Sequence, residues 1–204
     1  MTSSAQIREL ATSDGAKFVF RHVELHFQSG QQKEVFALKN NKSVGDTLMH
    51  HRYAKLANEA EEYSALMDIP LGEFLLTLKR EGNPFYKRFL NKHGDERYTT
   101  FSIKDPEVLI GKGLYAYYVG DRLRYIGRCR DTMKKRINQG YGKIHPKNCF
   151  IDGQSTNCHL NAKITEAREA VSLWFCSLNW DDEICAAETL LLSRHCPIWN
   201  VQRS

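Results

Sequence analysis

The alternation of apolar and polar positions is sharpest between Gly113 and Gly127, in the run Gly-Leu-Tyr-Ala-Tyr-Tyr-Val-Gly-Asp-Arg-Leu-Arg-Tyr-Ile-Gly. β-Branched and aromatic residues flank a Gly-Asp pair, which predicts two short strands joined by a tight turn. Side chains alternate along a strand, so Tyr115 and Tyr125 share a face only if cross-strand partners sum to an even number. A three-residue loop, Gly120 to Arg122, with Val119 opposite Leu123, meets that condition. A two-residue loop does not, so the three-residue loop is expected.

Elsewhere the pattern is softer. Residues 1–15 read as polar and irregular, and 17–27 with 33–39 as a hairpin around Ser29-Gly30-Gln31-Gln32. From 44 to 67, Leu48, Leu56, Ala60, Tyr63 and Leu66 fall near one helical stripe. A second helix is expected over 70–80, and a third opens at Asn83-Pro84 and runs to about His93. Residues 97–103 alternate weakly as a strand. Asp131 is expected to cap a short helix from Thr132 to Gln139, ended by Gly140. Residues 148–161 read as a long polar loop. Its Gln154, Asn157 and His159 either read bases or satisfy loop backbone. Val171 to Leu178 is a strong strand, followed by a helix from Asn179 or Asp181 to about His195.

These elements predict an α+β fold. A small three-stranded antiparallel sheet flanked by helices is expected over 109–204. An N-terminal hairpin and helical region over 1–108, suited to recognition or dimerisation, precedes it. Asp105-Pro106 marks the boundary.

The 204 residues, 42% hydrophobic and 26% charged, are ordinary for a soluble globular chain. No apolar run is long enough for a bilayer, and the start carries no secretory pattern. Six cysteines without a C-x-x-C pair read as free thiols in a reducing cytoplasm. Cys149, Cys158 and His159 fit no zinc-finger spacing well.

Charge changes the picture more. The formal net charge is +5, and residues 1–108 balance, with 15 basic against 15 acidic side chains. From 122 to 147 there are nine basic residues and one acid, Asp131. Such a cluster attracts a polyanion, or is a solvated face. Within it Arg136 lies on the short helix after the hairpin. Its planar fork suits a phosphate, Lys135 is the neighbouring alternative, and a merely solubilising arginine also fits. Glu188 sits beside the apolar stripe Ile184, Ala187, Leu191 and His195, where a carboxylate needs a partner. A divalent cation or an arginine such as Arg136 or Arg194 would serve.

The Gly-Leu-Tyr and Tyr-Ile-Gly triplets, Arg136, Glu188 and then Asn200 after Pro197-Ile198-Trp199 follow one another in a set order. Over roughly 113–200 this order resembles the GIY-YIG nuclease superfamily. The resemblance implies hydrolysis of phosphodiesters in double-stranded DNA with one Mg2+ (or Mn2+) held by Glu188. It implies catalytic roles for Tyr115 near the attacking water, and for Tyr125, Arg136 and Glu188. It adds phosphate contacts from Arg128, Arg130 and Lys135, and a backbone-fixing role for Asn200. Tyr141 and His145 lie just past the helix, where relatives carry a tyrosine or histidine; neither aligns cleanly, but the resemblance makes Tyr141 a candidate substrate contact and His145 a candidate for proton transfer, a plain loop histidine being the alternative. A tyrosine acting as base would need its pKa, ordinarily about 10, lowered by cations. A site-specific, restriction-type enzyme is expected, and a palindromic site would call for a homodimer. A mobile-element, phage or repair nuclease, or an inactive nucleic-acid-binding protein, are the alternatives.

Overall fold

The computed structural model describes residues 6–201. Its strands are β1 (Ile7–Ala11), β2 (Lys17–Val23), β3 (His26–Phe27), β4 (Phe101–Ser102), β5 (Gly113–Val119), β6 (Arg122–Cys129) and β7 (Val171–Ser177). Its α-helices are α1 (Val44–Leu48), α2 (Leu71–Arg80), α3 (Pro106–Ile110), α4 (Ser155–Glu166) and α5 (Asp181–His195). The chain forms two compact units. One comprises residues up to Ser29, Thr100–Lys143 and Lys163 onward. The other comprises Gly30–Thr99 and Ile144–Ala162.

The expected three-stranded sheet is corrected to a five-stranded antiparallel sheet, ordered β1-β2-β7-β5-β6. The two extra strands are the true N-terminal hairpin, which pairs with β7 through Arg21↔Phe175 and Val23↔Leu173. That hairpin turns at residues 12–16, where Gly15 takes φ 91°, and not at Ser29-Gly30. Residues 7–11, read as irregular, are therefore an edge strand. Its signal is faint because only Leu10 of the five is buried.

One face of the sheet carries Leu10, Phe20, Leu114, Ala116, Ile126 and Trp174, closed by Ile184, Ala187 and Leu191 of α5. The apolar stripe read on this helix is thus the one it buries. At its far end the His195 ring bonds the Ala11 carbonyl at 2.9 Å.

The β5–β6 hairpin differs from expectation in an instructive way. Val119 faces Arg122, so the loop is the two-residue Gly120-Asp121, with Gly120 at φ 57°. The register then shifts between Tyr117 and Tyr118, because Arg124 is an extra residue on β6. Beyond this bulge Tyr117 faces Tyr125 and Tyr115 faces Gly127. The two signature tyrosines share a face after all, through a bulge instead of an odd loop.

The second unit is organised around α2, whose Leu71, Phe74, Leu75 and Leu78 enter a core with Phe36, Tyr53 and Phe89. The helix expected over 44–67 stops at Leu48, and short 3-10 turns follow at Ala54–Leu56 and Glu61–Leu66. The turns still bring Leu56 and Ala60, four residues apart, inward, which is why the sequence mimics a longer helix. Asn83 does cap, but it opens a 3-10 helix, Pro84–Phe89. Of the weak strand over 97–103 only β4 forms. The polar stretch from 148 becomes helical at Ser155, and Asn157 is buried against Gln154 instead of free to read bases.

All six cysteines are free thiols. No helix among the described residues is long and apolar enough to cross a membrane.

Candidate active site at the edge of the sheet

The face of β5 and β6 opposite α5 carries Tyr115, Tyr117 and Tyr125. The segment Lys134–Tyr141, wound as a π-helical turn, closes over them and adds Arg136 and Tyr141. The turn is led by Thr132, whose Oγ1 accepts from the Lys135 N–H, so Asp131 is not its cap. Asp131 instead pairs with Lys135 at 2.7 Å in the open. That leaves Arg136, not Lys135, as the cation of the cluster.

The four phenols interlock. Tyr115 lies 5.8 Å from Tyr125 and 6.3 Å from Tyr141, ring centre to ring centre. Tyr117 and Tyr141 share a hydroxyl–hydroxyl bond of 3.0 Å. The Arg136 Nε–H donates to the Tyr115 hydroxyl at 2.9 Å, and its Cζ sits 5.9 and 5.7 Å from the Tyr115 and Tyr141 rings. Aromatic rings stabilise a guanidinium without neutralising it. Among the described residues Arg136 has no carboxylate partner, and its two Nη groups make no hydrogen bond. A half-buried cation so placed is ready for an oxyanion.

Burial pushes the Tyr115, Tyr117 and Tyr141 hydroxyls well above their ordinary pKa, despite the pull of Arg136. A Tyr115 acting as base would need the opposite shift. At neutral pH Tyr115 is a neutral phenol that orients Arg136. Tyr125 retains 7% exposure against zero for the other three, so it is the phenol nearest solvent. Because these raised values exceed the unfolded value of about 10, their contribution to stability is intact below that pH and is lost as pH rises past it. The fold is expected to weaken steeply above about pH 10, with these tyrosines ionising only as the chain unfolds. Absorbance at 295 nm read beside circular dichroism checks this. Their ionisation well before unfolding would contradict it.

Both triplet glycines have steric causes. A Cβ on Gly127 would lie 2.6 Å from atoms of both the Tyr115 and Tyr125 rings. Gly113, at φ 146°, would put one 2.1 Å from the Cys176 carbonyl oxygen. Gly127→Ala is expected to splay the two rings, lowering stability by about 1–3 kcal/mol as overpacking does. Chemical denaturation measures it, and an unchanged midpoint would mean the rings are not seated on this glycine.

Strand β6 is the outer strand, and its free edge is used residue by residue. The bulge carbonyl of Arg124 accepts from the Trp199 N–H at 2.8 Å. Asn200 takes Ile126 on both sides, accepting from its N–H at 3.0 Å and donating to its carbonyl at 2.7 Å. Its side chain thus stands in for a paired strand. Asn200→Ala strands both groups and is expected to lower stability by about 1–3 kcal/mol. Thermal unfolding would register this, and a loss below a few tenths would remove that role.

One step further along the same edge is Arg128. It points to the α5 face, and its Nη1 pairs with the Glu188 carboxylate at 2.9 Å. Burial raises the Glu188 pKa above the usual range, opposed first by Arg128 and second by Arg136. Glu188 and the phenols therefore approach β6 from opposite faces and are joined only at its edge. The carboxylate makes no hydrogen bond to Tyr115 or Tyr125 among the described residues. Neither arginine first considered for it is its ion-pair partner, since Arg194 holds the Thr12 carbonyl at 2.5 Å and Arg136 holds Tyr115.

Of the remaining candidates, Arg130 is exposed just beyond β6. His145 belongs to the second unit, where its backbone N–H bonds Asn148. Tyr117, which the sequence reading passed over, is as central as Tyr115. Its signal was the two-residue spacing from Tyr115 on one strand. Among the described residues no group of three or more His, Cys, Asp or Glu is placed to hold a metal ion. A single partly buried acid fits a weakly held Mg2+, which takes most of its oxygens from water and substrate phosphate. No family model matches the chain, and neither a curated protein nor a solved structure matches it.

Proposed function

We propose that this edge site hydrolyses phosphodiester bonds in DNA, as the resemblance to GIY-YIG nucleases implies. The observation that carries the reading is Arg136, a half-buried guanidinium fixed by Tyr115 and two rings, with no ion-pair partner among the described residues. Exposed Arg122, Arg128, Arg130, Lys134 and Lys143 in the same unit supply the positive field that draws in a polyanion. Arg136 would hold the scissile phosphate and balance its growing negative charge, an electrostatic role that needs no movement at the moment of reaction. Tyr115 keeps that fork aimed. Tyr125 is the phenol able to bond water or a phosphate oxygen. Glu188 would hold Mg2+ or Mn2+, which would polarise the phosphate and stabilise the departing oxygen.

The finer reading is a site-specific, restriction-type enzyme acting on double-stranded DNA as a homodimer, with the segments before the hairpin contributing recognition. A second reading, an inactive DNA-binding protein, is favoured by one observation, the capture of Glu188 by Arg128. Incubating supercoiled plasmid with the protein separates them. Nicking that requires Mg2+ or Mn2+ supports hydrolysis, and binding without nicking in either metal overturns it. Discrete fragment ends support site specificity, and scattered ends remove it.

A further inference from the structure

We propose that Arg128 makes cation binding at Glu188 depend on substrate. It is the counter-ion of Glu188 in the free protein, and it transfers to a DNA phosphate when substrate arrives. The proposal rests on the nuclease reading of the same site, and adds an order to it, phosphodiester first and divalent cation second.

Three observations meet in it. The Arg128 Nη1 lies 2.9 Å from a Glu188 oxygen, so the acid proposed to hold the cation is already balanced. The pair is asymmetric, because the Glu188 side chain is 16% exposed and Arg128 42%. The acid is fixed on a packed helix, while the cation stands on an open strand edge. No other hydrogen bond or ion pair holds the Arg128 guanidinium among the described residues. The two basic groups of the adjoining turn are engaged elsewhere. Arg136 is bonded to Tyr115 and lies against two rings, and Lys135 is paired with Asp131.

The consequence follows from charge alone. A guanidinium and a dication repel at one carboxylate, so a cation entering the free protein must displace Arg128 and leave it without an anion. A phosphate removes that penalty. It offers Arg128 two oxygens for its planar fork, and offers the cation further oxygen ligands. Cation and duplex then tighten each other's binding, and the reciprocity is thermodynamic. Arg128 is thus a positioning residue whose removal should strengthen metal binding in the free protein, an effect a purely structural ion pair would not produce.

The test uses the full chain and Mn2+ as probe, followed by calorimetry or by paramagnetic resonance of free Mn2+. Without DNA, Arg128→Gln is expected to bind Mn2+ on the order of tenfold more tightly than wild type, with Arg128→Lys near wild type. Glu188→Gln should abolish that binding in both backgrounds. With a mixed-sequence duplex present, Mn2+ affinity should rise by a larger factor in wild type than in Arg128→Gln, where only the added phosphate oxygens remain to tighten it. The salt slope of duplex binding should fall by about one in Arg128→Gln. Circular dichroism confirms that each variant is folded. Unchanged or weaker Mn2+ binding by Arg128→Gln overturns the proposal and leaves the nuclease reading standing. Mn2+ binding that survives Glu188→Gln overturns both.

Discussion

Glu188→Gln is expected to lower DNA cleavage on the order of 10³-fold or more without weakening duplex binding in metal-free buffer and without lowering stability. The two halves of this expectation have separate causes. Cleavage falls because Glu188 is the acid proposed to hold the cation, and an amide oxygen holds a hard dication far less well than a carboxylate does. Stability is spared because the fold resists the charged form. Burial raises the Glu188 pKa above the usual carboxylate range, and Arg128 and Arg136 only partly offset it. The sign follows from the raised value. The contribution of this group is favourable below the unfolded pKa and is lost as pH rises through the folded one, so at neutral pH the ionised acid weakens the fold. A neutral isostere removes that penalty and strands only a half-exposed arginine. Denaturant midpoints of the two proteins should agree or favour the variant. A variant that cuts at the wild-type rate would remove Glu188 from the chemistry. One that loses several kcal/mol would make the residue structural.

What could be read from the chain divides along physical lines. The shared face of Tyr115 and Tyr125 was legible, because the two-residue period of a strand leaves only parity to decide. The device that sets parity was not. The bulge at Arg124 is stabilised by the Trp199 N–H, a contact across more than seventy positions of sequence. Arg136 over Lys135 was likewise undecidable from spacing, since the π-helical winding of Lys134–Tyr141 alters which side chain faces β5. The partner of Glu188 lay hidden in strand register. Arg128 is one residue past Gly127, and that single step turns it from the tyrosine face to the α5 face. The stripe on α5 was plain, because Ile184, Ala187 and Leu191 repeat at helical spacing and all three are buried. The first strand was obscured for the opposite reason. An outer strand needs few apolar residues, and the better signal was the Asp14-Gly15 turn that follows it.

The site that emerges is more asymmetric than the motif suggests. Tyr115 and Tyr117 are sealed from solvent and hold Arg136 and Tyr141, while Tyr125 alone stands near the surface. Two phenols of a single strand thus hold a guanidinium in place, and under the proposed nuclease reading catalytic contact would fall to Tyr125, Arg136 and Glu188.

Arg136 is where that description is most exposed to failure. Its Nε is committed to Tyr115, which leaves the Nη fork for a phosphate. Loss of such a preorganised donor in a partly buried site lowers turnover by about 10²–10³, whereas ground-state affinity is spread over many exposed cations and changes little. The decisive measurement is single-turnover cleavage of plasmid in Mg2+ by wild type and Arg136→Ala, with duplex affinity measured in parallel. A rate lower by about 10²–10³ at nearly unchanged affinity is expected. A variant that cleaves as fast as wild type, or whose whole deficit is weaker binding, would contradict the placement of the scissile phosphate at this guanidinium.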